Sequence, residues 1–414
     1  MSCPVFGERA GVDIVLNVLL YVPIGAGLAL MRRAPGHVGL IAFAIASVIE
    51  TLQVDVIPGR YASLSDVITN TLGAMLGLLA VRHWRALVEP GESTSRVLAV
   101  VAAVMALVTL HVTMWAQQEV PMEGSLSTLW RPSPPRDGEP RPPDAAPSQI
   151  VYVALDGRRH PGRVTLPPNE VAALASKPEY RLEMGFVPAA REGDEDPAFE
   201  LRDAEGRRIL RVRQDGRHLA GDLATRGRTF HLRTPTVRLR RFLAARVERL
   251  RRGLRDTVHV AVHVAQGNLS MRARLGTSED EAHHRRGAFA GWSLLIAQSN
   301  SPTRVRLLTF VWVVALILPA IYWAVLGLPP PPARPPNRTA NGRSARSISV
   351  PSLVLAGSVA LMLVLALEVL PRANGMEPAG PLEGLAVATA IGAGSVIALR
   401  SARRRASATR RKRA

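Results

Sequence analysis

Seven stretches of the chain are apolar over lengths that suit a membrane crossing: residues 12–31, 37–53, 66–81, 97–116, 305–327, 351–371 and 381–399. A hydrocarbon core of about 30 Å needs about 20 mostly apolar residues in helical form. The pattern therefore predicts about seven transmembrane helices. The second and third stretches carry polar residues at regular places. The start of the chain has no basic region followed by a short apolar core and a cleavage site, so the first apolar segment is expected to stay in the mature protein.

Between the fourth and fifth stretches the pattern changes. Residues 117–149 are rich in proline, from Pro121 through Pro132, Pro134, Pro135, Pro140, Pro142, Pro143 and Pro147. Such a composition predicts an extended, semi-rigid linker. From 150 to 303 apolar residues recur with period two, the mark of half-buried strands. Ile150–Leu155, Tyr180–Phe186 and Val258–Val264 follow that rule. Phe199–Arg202 and Ile209–Val212 flank a turn at Asp203–Gly206, which predicts a hairpin. Short strands separated by turns predict an all-β sandwich of the jelly-roll kind. The chain thus divides into a three-helix membrane region (1–96), a fourth transmembrane helix (97–116), the linker (117–149), the sandwich (150–303), three further transmembrane helices (304–400) and a basic tail (401–414).

Charge sets the expected orientation. The formal net charge is +19, and the only lysines are Lys177 and Lys412. Arginines crowd four places: after the first stretch (Arg32, Arg33), between the third and fourth (Arg82, Arg85, Arg96), between the fifth and sixth (Arg334 to Arg346), and in the tail. Basic residues in short loops stay on the cytoplasmic side. With seven crossings and an outside N-terminus, all four fall inside. The segment 117–304 then lies outside the cytoplasm, where the rule does not bind long loops. Because the arginines flank membrane segments, the charge does not argue for nucleic acid. The single cysteine, Cys3, excludes an intramolecular disulfide.

The chemistry gathers in the first three helices. Asp13, Asn17 and Tyr21 are four apart and share one helix face. Pro23 and Gly25 follow at a packing point. Glu50 and Gln53 lie three apart near the end of the second helix. Ser63 and Asp66 have the spacing of a capping box. Asp66, Asn70, Gly73 and Gly77 mark one face of the third helix, with Gly73 and Gly77 as a close-packing pair. Ionisable groups inside membrane helices are costly, and they face a bundle interior or a wet cavity. Asp13, Asn17, Glu50, Gln53, Arg60, Asp66 and Asn70 are therefore expected to converge on one outward-facing polar pocket. The alternative is that they pair with one another and cap helix ends. In the outer region, His259 and His263 share a strand face about 13 Å apart, too far for a metal pair. A basic amphipathic stretch runs from Arg240 to Asp256. No metal, cofactor or catalytic residue is assigned.

The set Asp13, Asn17, Pro23, Gly25, Glu50, Gln53, Gly59, Arg60, Asp66, Asn70 and Gly73 resembles the pattern of the VanZ-like family, known from glycopeptide (teicoplanin) resistance. The resemblance covers roughly residues 12–83. It implies an envelope membrane protein that affects glycopeptide susceptibility. The partners expected are a membrane lipid and a cell-wall precursor or glycan, held by the pocket. An alternative is a membrane-embedded enzyme acting on a lipid-linked substrate, with Glu50 and Asp66 as acid and base. Against it, the sequence has no nucleophile elbow, metal-ligand helix motif or glycine-rich phosphate loop. In the outer region the strand order, Val258–Val264 and the closing Gly291–Ile296 resemble a concanavalin-like, laminin-G-type jelly roll, which implies glycan binding there.

Overall fold

A computed structural model describes residues 10–56, 63–122, 125–129, 149–160, 165–175, 177, 179–188, 195–244, 257–265, 268–296, 301–328, 359, 361–374, 376 and 378–413. The chain forms two compact units. One comprises Met1–Val112, Arg306–Pro371 and Pro378–Ala414; the other comprises Thr113–Val305 and Arg372–Glu377.

The first unit is helical. Its N-terminal part holds α1 (Ala10–Leu30), α2 (Pro35–Val56) and α3 (Leu64–Arg82), followed by the short α4 (Trp84–Val88) and the long α5 (Glu92–Gln117). Six helices among the described residues are long and apolar enough to cross a membrane: α1, α2, α3, α5, Pro302–Leu326 and the apolar part of Pro381–Arg413. The seventh expected crossing, 351–371, is described only from its second half, which is helical and includes a π-helical turn at Leu365–Val369. Large apolar side chains such as Leu20, Leu40, Leu72 and Val97 are more than half exposed on these helices. In water that exposure would be costly; in lipid it is the favoured arrangement.

Helices α1 and α3 meet backbone to backbone. A Cβ added to Gly73 would fall on the carbonyl of Val18, one on Gly77 would fall on the carbonyl of Val22, and one on Gly25 would fall on Ala74. Gly73 pairs with Val18 and Gly77 with Val22, so the contacts advance together and the two helices run parallel. Helix α2 fits against them through Ala42 and Ala46, which pack with Tyr21, Val67 and Ala74. Small residues allow such approach where no hydrophobic effect operates between helices. Elsewhere in this unit, the helix Pro302–Leu326 ties back to α4 and α5. Trp323 donates its indole N–H to the Leu87 carbonyl (2.7 Å), Tyr322 donates to Val88, and Arg96 Nε donates to the Gly327 carbonyl (2.9 Å).

The second unit holds two six-stranded antiparallel sheets. Numbered along the chain, the strands are β1 (Leu126–Leu129), β2 (Gln149–Leu155), β3 (Arg158–His160), β4 (Thr165–Leu166), β5 (Glu179–Val187), β6 (Glu195–Arg202), β7 (Arg208–Asp215), β8 (His218–Leu223), β9 (Thr236–Leu239), β10 (Val258–Ala265), β11 (Asn268–Leu275) and β12 (Ser278–Arg285). One sheet has the order β4-β1-β6-β7-β8-β9, the other β12-β11-β10-β5-β2-β3. A single apolar core joins them, with Leu182, Met184, Phe186 and Val262 from one sheet against Phe199, Leu210, Val212 and Leu219 from the other. The period-two pattern is the cause: Val258, Val260, Val262 and Val264 are buried, while His259, Ala261, His263 and Ala265 face away from the core. The β2–β3 hairpin turns on Asp156 and Gly157, both at positive φ (46° and 80°), as an Asp-Gly primed turn requires.

The structure departs from the sequence expectations in two places here. Residues 126–129 lie inside the span read as a linker, yet they form β1, paired to β4 and β6. The closing Gly291–Ile296, expected to end the jelly roll, falls largely in a 3-10 helix (Ala288–Leu294) with Phe289 and Trp292 buried. The final strand is instead β12, whose mostly charged sequence hid it. Of the basic stretch Arg240–Asp256, residues 245–256 lie outside the described residues.

The unit also takes in the end of α5. Gln117 is fully buried; its amide donates to the Gly287 carbonyl and accepts from the Gly287 N–H, both at 3.1 Å. Glu119 meets Arg286 at 2.8 Å and accepts a bond from the Tyr180 hydroxyl at 3.4 Å. Trp115 packs edge-on against Phe230.

Candidate functional site

Because α1 and α3 run parallel, Asp13 and Asn17 near the start of α1 share an end of the bundle with Asp66 and Asn70 near the start of α3. Helix α2 runs the other way, so Glu50 and Gln53 near its end come to the same place. One bond shows the closure directly: the backbone N–H of Ser63, at the foot of α3, donates to Glu50 Oε2 at 3.2 Å. Glu50 is 5% exposed and Asn70 5% exposed, in helices otherwise apolar.

The polar atoms at this end are unevenly served. Asn70 Oδ1, Gln53 Oε1 and the Tyr21 hydroxyl are buried with no protein partner among the described residues. Tyr21 is 2% exposed and sits within electrostatic reach of Glu50. A buried polar atom without a partner costs about 1–3 kcal/mol in proteins, and more in a medium that cannot hydrogen-bond.

Not every expected residue joins this cluster. Asp13 is exposed, Asn17 is half-buried, and Asp66 is half-buried in the first turn of α3. Gly59 and Arg60 lie outside the described residues. Ser63 occupies the N-cap position, but its side chain makes no capping bond. Its hydroxyl pairs with that of Ser65 at 2.6 Å, so the capping-box reading of Ser63 is corrected: the serine neighbour two residues on wins the hydroxyl. Pro23 lies inside α1 and Gly25, Gly73 and Gly77 lie on the α1–α3 contact. Tyr21 is a member that the sequence reading placed on the right helix face without counting it in the pocket. Its signal was the four-residue spacing after Asp13 and Asn17. Among the described residues no group of His, Cys, Asp and Glu is placed to hold a metal ion.

A polar-cored three-helix unit at the head of a multi-pass membrane protein is the class that this geometry defines. Residues 3–85 match the family model described as VanZ/LLP1, so the N-terminal region is VanZ-like. The match spans all three helices that build the cluster and ends before α5. No curated protein and no solved structure matches the chain.

Proposed function

We propose that this is a binding protein of the cell envelope, whose VanZ-like region takes the polar headgroup of a membrane lipid or lipid-linked wall precursor. The carrying observation is the trio of buried, unpartnered polar atoms on Asn70, Gln53 and Tyr21 beside Glu50. A ligand rich in hydroxyl or amine donors satisfies all of them together. The arginine distribution supports an orientation with this end outward and the C-terminal tail in the cytoplasm. It also supports an extracytoplasmic outer domain, for which we propose glycan binding. An effect on teicoplanin susceptibility follows if the bound headgroup belongs to the precursor that the drug targets.

The test is susceptibility of a teicoplanin-sensitive host expressing matched levels of wild type, Glu50→Gln, Asn70→Leu and a form lacking residues 117–304. Protection by wild type, lost on Asn70→Leu, is expected. Removing one partner of a buried hydrogen bond costs about 1–3 kcal/mol, roughly tenfold or more in affinity. Correctly inserted wild type that gives no protection ends the susceptibility reading. Equal protection by wild type and Asn70→Leu takes the function away from the cluster.

A further inference from the structure

The sheet β12-β11-β10-β5-β2-β3 turns one face to the core and leaves the other open. Its register lines up rows across that open face. One row runs Tyr152, Gly185, His259, Arg274 and Glu279; the next runs Ala154, Glu183, Ala261, Arg272 and Glu281. The middle of the second row is small, Ala261 between Glu183 and Arg272, while in the first row Gly185 lies beneath the Tyr152 ring. The outcome is a trough with two adjoining clefts of about 670 and 340 Å³ that share Arg181, Ala261 and Arg272. That is the size range of small-molecule sites.

We propose that this trough binds an uncharged oligosaccharide, with Tyr152 as its stacking platform and Arg181, Glu183 and Arg272 as its hydrogen-bonding walls. The inference rests on the glycan reading of the outer domain and gives it a location. Three observations carry it. The first is charge. On a chain of net charge +19, the clefts are lined by Lys177, Arg181, Arg272 and Arg274 against five carboxylates. A site for a polyanion would keep the excess of arginine found elsewhere; this one cancels it.

The second observation is that the charges are already paired. Arg181 meets Glu183 at 2.7 Å, Arg272 meets Glu279, and Lys177 meets Asp156. Each pair sets a fixed donor next to a fixed acceptor. A sugar hydroxyl both donates and accepts, so neighbouring hydroxyls match such pairs without leaving a charge unbalanced. The pairs also hold the side chains in place before the ligand arrives.

The third observation is the aromatic ring. Tyr152 lies over Gly185, where even a Cβ would collide with the ring. Its hydroxyl is fixed to His259 Nδ1 at 2.9 Å. The guanidinium of Arg159, an exposed residue, sits 4.0 Å from the ring centroid. A sugar stacked on this ring must displace the Arg159 guanidinium or lie along it.

The experiment titrates the full-length protein in lipid nanodiscs with neutral tetrasaccharides of N-acetylglucosamine, glucose and mannose, at low and high salt. At least one is expected to bind, with little change between the salt conditions. Tyr152→Ala and Ala261→Arg should each weaken it by about tenfold or more. Ala261→Arg fills the trough without removing a core side chain, so it stands if Tyr152→Ala misfolds. Tyr152→Phe, which keeps the ring, should bind nearly as wild type. Arg228→Ala, away from this face, should be unchanged. Binding that survives both Tyr152→Ala and Ala261→Arg overturns the trough while the glycan reading stands. No binding of any of the three probes overturns both.

Discussion

Asn70 and His284 are both buried polar side chains, and they lead to different tests. Asn70 carries an oxygen that lacks a protein partner among the described residues, and the proposed binding role rests on it. His284, inside the β-sheet unit, is held neutral. Burial first, and then the charge of Arg286, push its imidazole down to about 3, against the opposing effect of the Thr236 backbone. Above the ordinary histidine value of about 6.5 both folded and unfolded chains are neutral here, and the stability is full. Below it the unfolded chain takes a proton that the fold refuses, so stability falls by about 1.4 kcal/mol per pH unit towards pH 3. Thermal unfolding of wild type and His284→Leu across that range is expected to show the slope in the first and its loss in the second. An equal slope in both would assign the acid sensitivity to other groups. Asp156 adds a smaller effect at lower pH. Burial alone would raise its carboxyl, but the Lys177 hydrogen bond, the Arg181 N–H and nearby charges outweigh it and hold it low. Its contribution is therefore present above the ordinary carboxylate range and lost as pH falls through the lowered value. At this scale the sequence showed which side chains are polar in apolar company. It did not show which lack partners, since Asn17 and Asn70 look alike on paper and only the latter is deeply buried.

Helices α1 and α3 depend on three glycines for their close approach. Gly73→Val or Gly77→Val places side-chain atoms into the facing backbone, so α1 and α3 must separate. Overpacking typically costs about 1–3 kcal/mol and more where backbone must yield. Loss of the three-helix unit is expected, read as a lower melting midpoint or faster proteolysis in detergent. Gly27→Ala meets nothing within 4 Å and should melt as wild type. The spacing of Gly73 and Gly77 made a contact legible in advance, but whether it formed within one chain was not; the parallel pairing with Val18 and Val22 answers it. Strands were legible where one face is apolar, as in β5 and β10. Strand β12 was not, because Ser278-Glu-Asp-Glu-Ala-His-His-Arg285 buries only His284 and half-buries Ala282. It is an edge strand, where charge discourages pairing with other chains.

For the whole molecule, hydropathy placed the boundary of the β unit after residue 116, and the contacts place it inside α5. Thr113–Gln117 belongs with the sandwich through Gln117, Glu119 and Arg286. Arg286→Ala removes one partner of a mostly buried pair, and such losses cost about 3–5 kcal/mol. The β unit of the full-length variant should melt well below wild type, with partial recovery in Arg286→Met combined with Glu119→Leu. An unchanged midpoint would make the pair incidental. The class of the chain, apolar helices around a β insertion, was visible in the change of period from block to strand; this joint was not, because Gln117 and Glu119 read as ordinary polar residues past a membrane segment. Every single-nucleotide missense change in a glycine codon adds at least a methyl group. Gly25, Gly73 and Gly77 therefore have no neutral neighbour in mutational space. Among the lipid-facing leucines and valines around them, by contrast, drift can proceed nearly unchecked. If the protein is ever the target of selection for loss, its inactivating alleles should pile up at those three codons.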